Sequence, residues 1–484
     1  MATIAENLTL LKSTKAGIKA AIEAKGVSNV GDKFSDYPAK IASIEQGTVQ
    51  GKVDKVDLVQ SGWKSDDFIN NDLQTSWDNS VALAEVSKSR YENKIASGES
   101  TVEFWTNNTE IQFFPILSKV TQYSTARFVD GCVNLITIPA QNYPENSTDC
   151  RSMFKGCAKL VILEDLGTLK STNCERMFYS CNNLPSVPNF DTSECTNFSE
   201  MFRDCQNLTN LPVLDFSKCT TLYFTFLRCY KLTGNLTFNS PDLKNLYGAF
   251  QDCRKLNKVT FTENPKPTQL ETTFKGCTGL TAVEGLDSSA ATSTNQLFNG
   301  CAALTSVPEI LDTSNSSNVE DMYRDCKKLY KIPEVNCIKV TSLRGTFVNS
   351  GVIGKITLSN TGNVSNWERT FAGCRKLQRI SDLDMTSYVS QEDYDFYSPF
   401  EDCVNLTTLG TFTNCKANLL LRSCTKLTAE SLVNVFSSIY DFTAAGETPK
   451  SYQGRIYLGK AAYNRLTEDQ IAIATGKGWS VQSN

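Results

Sequence analysis

Histidine is missing from all 484 residues. Without an imidazole there is no Ser-His-Asp triad, no Cys-His dyad and no HExxH zinc site, because each needs that ring near neutral pH. The first cysteine is Cys132 and none of the 18 forms a C-x-x-C pair, so neither an N-terminal lipid-bearing thiol nor clustered zinc ligands are expected. Neither charge dominates: 48 Lys and Arg face 52 Asp and Glu, a formal charge of −4, without the basic excess of a nucleic-acid binder. No run approaches ~18 uninterrupted apolar residues, so no membrane insertion is expected. Walker and Gly-rich dinucleotide loops are lacking too, and no cofactor is expected. Residues 1–30 hold no apolar h-region, since Lys12, Lys15 and Lys19 interrupt every short run. The expectation is synthesis in a cytoplasm, where the thiols stay reduced.

What is present is a core and a beat. Hydrophobic residues make up 40% of the chain and Phe alone numbers 26, enough to exclude wholesale disorder. Cys132, Cys157, Cys181, Cys205, Cys229, Cys253, Cys277, Cys301 and Cys326 follow one another at 24 or 25 residues. Ser350 takes the next place, Cys374 the one after, and Cys403 and Cys424 continue at looser spacings of 29 and 21. Three residues before the slot stands an aromatic: Phe154, Phe178, Phe202, Phe226, Phe250, Phe274, Phe298, Tyr323, Phe347, Phe371 and Phe400. Three residues after it stands a leucine, as at Leu160, Leu208 and Leu256.

A 24-residue period with L-x-x-L spacing lies in the leucine-rich-repeat range. The expected fold is an α/β leucine-rich-repeat solenoid of about 13 turns, with parallel strands and short helices. Thr172…Glu175, Ser317…Glu320 and Ser365…Glu368 read as capping boxes six residues before their aromatics, which puts aromatic and cysteine one helical turn apart facing inward. Leu208 to Pro212 reads as the strand. No turn can bury its Phe, Cys and Leu alone, so stacking is what makes the core.

The thiols admit disulfide, metal or catalytic readings, but a small inward hydrophobe accounts for them best, since no base is available to form a thiolate. Asp191, Asp215, Asp287, Asp312 and Asp384 recur at corresponding places. They fit either a carboxylate ladder for calcium or glycan, or Asx-turns closed by the following Ser or Thr; no calcium-loop pattern accompanies them. No catalytic residue is assigned and the chain is expected to be non-enzymatic.

Met153-Phe154-Lys155-Gly156-Cys157 and Met201-Phe202-Arg203-Asp204-Cys205, with Asp191-Thr192-Ser193 between frames, resemble the BspA-type leucine-rich repeat over residues 127–427. That resemblance implies a surface-recognition array of the kind found on bacterial adhesins and in phage structural proteins. Residues 1–46 read as a helical anchor or oligomerisation module, with Ile4, Leu8, Leu11, Ile18 and Ile22 close to one face. This stripe fits a coiled-coil seam, a docking helix or a helix packed on its own domain. The string IKAAIEAKG…FSDYPAKIASI resembles an N-terminal module of tail-fibre and other virion proteins of gut bacteriophages.

Residues 47–126 read as a small mixed domain or N-terminal cap, and residues 428–484 as a mixed α/β C-terminal cap with a capping box at Thr467…Gln470. The resulting expectation is a virion protein, synthesised in the host cytoplasm. Its N-terminus would contact other virion proteins and its array a host-surface glycan or protein, in a homo-oligomer for which a trimer is one arrangement. A BspA-like surface adhesin and an intracellular interaction scaffold are the alternatives.

Overall fold

A computed structural model describes residues 83, 85–94, 96–97, 104–115, 125–141, 143, 148–167, 169–308, 311–388 and 398–483. The 1–46 segment, with Ile4, Leu8, Leu11, Ile18 and Ile22, lies outside the described residues. The array is a parallel solenoid of about 14 coils with a period near 24 residues. One coil precedes the thirteen slots: the Cys132 thiol donates to Trp105 C=O at 3.0 Å, as the Cys181 thiol does to Phe154 C=O at 3.1 Å, and Phe113 bridges Thr137.

The half of each coil expected to be a short helix is instead a pair of tight turns. In the coil of Cys157, Met153 N–H donates to Cys150 C=O and Cys157 N–H to Phe154 C=O, both at 3.2 Å. The third residue of each turn, Ser152 or Gly156, has φ of 53° or 73°, as a type II turn requires. The alternate N–H groups of Ser152, Phe154 and Gly156 point along the axis and donate to Glu175, Met177 and Tyr179 C=O at 2.7–2.8 Å. An α-helix would close those groups on its own carbonyls and leave none for the next coil. The same left-handed pair recurs at Glu200/Asp204, Gly248/Asp252 and Arg369/Gly373. The apparent capping boxes serve the entry to the turns: Glu175 N–H bonds Asn173 Oδ1 at 3.0 Å, while Thr172 Oγ1 donates to Thr148 C=O at 3.2 Å.

Strand content follows proline. Gly234–Phe238, Leu256–Phe261 and Ala282–Glu284 form a parallel three-stranded sheet. The expected Leu208 to Pro212 segment forms no strand. It runs beside a coil holding Pro185 and Pro188, and its own Pro212 also lacks the N–H a ladder needs.

Inside, the aromatics stack. Phe154 and Phe178 lie 5.2 Å apart at 9°, Phe178 and Phe202 5.5 Å at 3°, and Phe347 and Phe371 5.5 Å at 2°. The stack runs on through Phe298, Tyr323 and Phe347, then from Phe371 to Phe400.

At the C-terminus the helix Ala429–Ser438 buries Leu432, Val435 and Phe436 over the last coil, capped by the Thr428 side chain accepting from Ser431 N–H. Leu419–Leu421, Arg455–Leu458 and Ser480–Ser483 form a second parallel sheet. Helix Glu468–Thr475 opens on the capping box of Thr467 and Gln470. Trp479 is buried and donates its indole N–H to Tyr440 C=O at 2.8 Å.

Candidate recognition surface

The ladder residues come together as one file along the axis. Cys157, Cys181, Cys205, Cys229, Cys253, Cys277, Cys301, Cys326 and Cys374 are fully buried, as are Phe154, Phe178, Phe202, Phe250, Phe274, Phe298 and Phe371. Each of these thiols donates to the carbonyl at the aromatic position one coil back, at 2.9–3.2 Å. Cysteine suits the place because it is small, apolar and still a weak donor.

All 18 cysteines are free thiols. Burial pushes the Cys132 and Cys374 thiols up to about 12 and Cys150 up to about 11. Cys195 runs the other way, held down by its hydrogen bond with the Cys174 thiol. The thiolate is the reactive form. Native protein at pH 8 is therefore expected to leave the ladder thiols unlabelled by Ellman's reagent for hours, with all 18 reacting in guanidinium. Fast native labelling of a ladder position such as Cys253 would refute the buried assignment.

Ser350 occupies a ladder place with a hydroxyl, and its buried Oγ has no partner. A C–O bond is shorter than a C–S bond, so the hydroxyl reaches less far than the ladder thiols do. Ser350→Cys is expected to stabilise the protein by about 1 kcal/mol, the order of one satisfied buried donor. Urea unfolding reads this out, and a loss of stability would count against the thiol's bonding role.

The recurrent aspartates close turns. Asp191, Asp215, Asp287, Asp312 and Asp384 each accept an N–H from the residue two positions on, at 2.8–3.0 Å. The Ser193 hydroxyl and N–H hold the Asp191 carboxyl below its usual range, and the Ser217 N–H does the same for Asp215. The repeated frame is thus spent on folding, and among the described residues no group of three or more His, Cys, Asp or Glu could hold a metal ion.

Recognition is left to the positions between. On the turn face, Arg203 bonds Glu200 at 2.8 Å and lies over the Tyr179 and Phe224 rings, with Tyr223 and Tyr247 beside them. Arg176 meets the same Glu200 at 2.6 Å, and with Glu175 at 3.4 Å from Arg176 and Asp204 at 3.6 Å from Arg203 this patch is internally neutralised.

On the sheet face lies a groove of about 730 Å³, where the three-stranded sheet ends. Beyond Ala282–Glu284 only Ala282 bridges to Ser306 before Pro308 ends the pairing. Val283, Val307, Pro308, Ile332 and Pro333 give it an apolar lining, with Tyr330 and Lys331 on one wall. Nothing in the Cys, Phe and Leu frame marks this surface; the signal that does is prolines falling at one phase of neighbouring periods.

The profile of the family described as Mycoplasma protein of unknown function, DUF285, matches residues 148–263 and 268–398, together just over half of the chain. Among solved structures, a leucine-rich repeat protein from Bacteroides ovatus is similar at 13% identity, with a TM-score of 0.25, over 77% of this chain and 88% of that one. No curated protein matches.

Proposed function

This chain belongs to the DUF285 family, and from that premise we propose that it is a non-enzymatic recognition scaffold, a leucine-rich solenoid whose variable faces bind a macromolecular partner. One observation carries the reading: the thiols and rings of the repeat are consumed by coil-to-coil packing, as the Cys253 thiol is on Phe226 C=O at 3.1 Å, and the aspartates by turn closure within their own coil. Stacking yields a stiff body, and positions between the frame residues change without cost to the core.

The finer reading is a bacteriophage virion protein of tail- or head-fibre type. Residues 1–46 would attach it to other virion proteins, and the array would contact host-surface glycan or protein, several copies adding weak contacts together. The resemblance of the first 46 residues to phage modules supports this. A BspA-like surface adhesin is the second reading, favoured by the family's description as a protein of Mycoplasma, a cell rather than a virus.

Mass spectrometry of purified particles separates the two. The virion reading expects the intact chain at fixed stoichiometry and loss of the chain lacking residues 1–46; particles free of the protein sink it. Incubation with host polysaccharide tests the scaffold itself, because release of fragments is incompatible with pure binding.

A further inference from the structure

Cations gather on three consecutive coils: Lys327, Lys328 and Lys331 on one, Lys355 on the next, Lys376 and Arg379 on the third. These coils are neighbours, since Ile353 N–H donates to Tyr330 C=O at 3.0 Å and Lys355 pairs in register with Arg379. All six are exposed, and none has an ion-pair partner among the described residues. Nearby Arg324 and Arg375, by contrast, meet Asp325 and Asp402. Like charges in register on adjacent strands about 4.8 Å apart repel in the free protein, and an anionic partner removes that repulsion. Such a cluster on a chain of net charge −4 is a local feature of the surface.

The same coils carry Tyr330 and Ile353, 54% and 52% exposed. Tyr330 and Lys331 also form a wall of the groove, so cationic margin and apolar cleft are continuous. Glu284 on the far wall is neutralised by Lys258 at 2.7 Å.

We propose that this groove and its margin bind an acidic polysaccharide. A sugar face lies on the Tyr330 ring and the apolar lining, while uronate carboxylates reach Lys331, Lys355 and Arg379. The proposal rests on the scaffold reading above and names its ligand class. A nucleic acid fits less well, because base stacking uses successive aromatic rings and Tyr330 is the one aromatic among the residues lining the groove.

The test titrates the full chain with polygalacturonate oligomers, with dextran, and with a thymidine oligonucleotide of equal charge, at about 50 and 200 mM salt. Binding of polygalacturonate that weakens with salt is the expected result, with dextran and the oligonucleotide at least ~10-fold weaker. The combined Lys331→Glu, Lys355→Glu, Arg379→Glu variant should lose about 30-fold and most of the salt dependence. Tyr330→Ala should lose about 5-fold with the salt dependence intact. Lys159→Glu, an exposed cation on the coil of Cys157, should change nothing. Circular dichroism confirms that each variant is folded.

Equal or tighter oligonucleotide binding, no polygalacturonate binding at low salt, or indifference to the triple reversal each overturns the proposal. Binding to dextran or host cells without polygalacturonate binding also overturns it and leaves the scaffold reading standing. Shortening of the polygalacturonate during the titration supports the site and overturns the non-enzymatic reading instead.

Discussion

Phe250→Ala is expected to destabilise the array by about 3–5 kcal/mol, at the upper end for a core truncation. The ring is fully buried, stacked 5.3 Å from Phe226 and 5.4 Å from Phe274, with the edge of Phe238 at 5.5 Å. Collapse into the cavity is hindered because the backbone around it is held on both sides. Phe250 N–H donates to Thr273 C=O at 2.9 Å, and its own carbonyl takes the Cys277 thiol at 2.9 Å. A repeat array is coupled only through neighbours, so a weak coil also weakens the link between the two halves. Urea unfolding followed by circular dichroism should show a lower midpoint and a transition that broadens or splits. A shift worth less than ~1 kcal/mol would mean the ring stack does not set stability.

Gly285→Ala is the second large effect, and Gly156→Ala is its control. Both glycines are left-handed, at φ 67° and 73°, a conformation that costs a residue with a Cβ roughly 1–2 kcal/mol. At Gly156 nothing lies within 3.4 Å of an added Cβ, so that cost stands alone. Ser180 and Arg228 tolerate the corresponding position in other coils. At Gly285 an added Cβ would sit 1.8 Å from the Phe261 carbonyl oxygen, a backbone atom of the neighbouring strand. Overpacking adds to the conformational cost, giving about 2–5 kcal/mol against about 1–2 for the control. Thermal unfolding of both variants decides it, and equal effects would show that the strand moves aside freely.

The period was legible because a solenoid writes each coil into the sequence at the same place. Cys, Phe and Leu recur since every coil faces the same interior. The helix was misread for a specific reason. Cys150, Met153, Phe154 and Cys157 are all buried, and their i, i+3, i+4, i+7 spacing is that of a helical face. Two successive type II turns bury the same set, so periodicity alone cannot separate them. The distinguishing sign was the residue before most of the slots, Gly156, Asp204, Asp252, Gly276, Gly300, Asp325, Asn349 and Gly373, with Ser180 and Arg228 as the exceptions in the middle of the array. Glycine, aspartate and asparagine are the types that enter the left-handed region most readily. The other turn carries the mark less often: Gly248, Asp321 and Gly345 stand there, but Arg176, Glu200 and Phe224 take positive φ at the same place.

The recognition surface was less legible than the core. Lys331, Lys355 and Arg379 share a phase of the period, but their lack of counter-ions depends on which acids neighbouring coils bring near. The groove likewise depends on where the sheet stops pairing, which is a relation among three coils. The Asp ladder was readable both ways until the Ser193 and Ser217 N–H groups were seen to occupy the carboxylates.

The axial N–H groups of the paired turns, such as Phe154 to Met177 at 2.8 Å, bear on how the molecule responds to being pulled. Tension applied at its two ends loads the junctions between coils in series, each about as strong as the next. Such a rod yields by peeling off whole coils, and each roughly 24-residue unit pays out about 80 Å of extended chain. A tether of this kind would lengthen in even steps under drag and hold its grip while doing so.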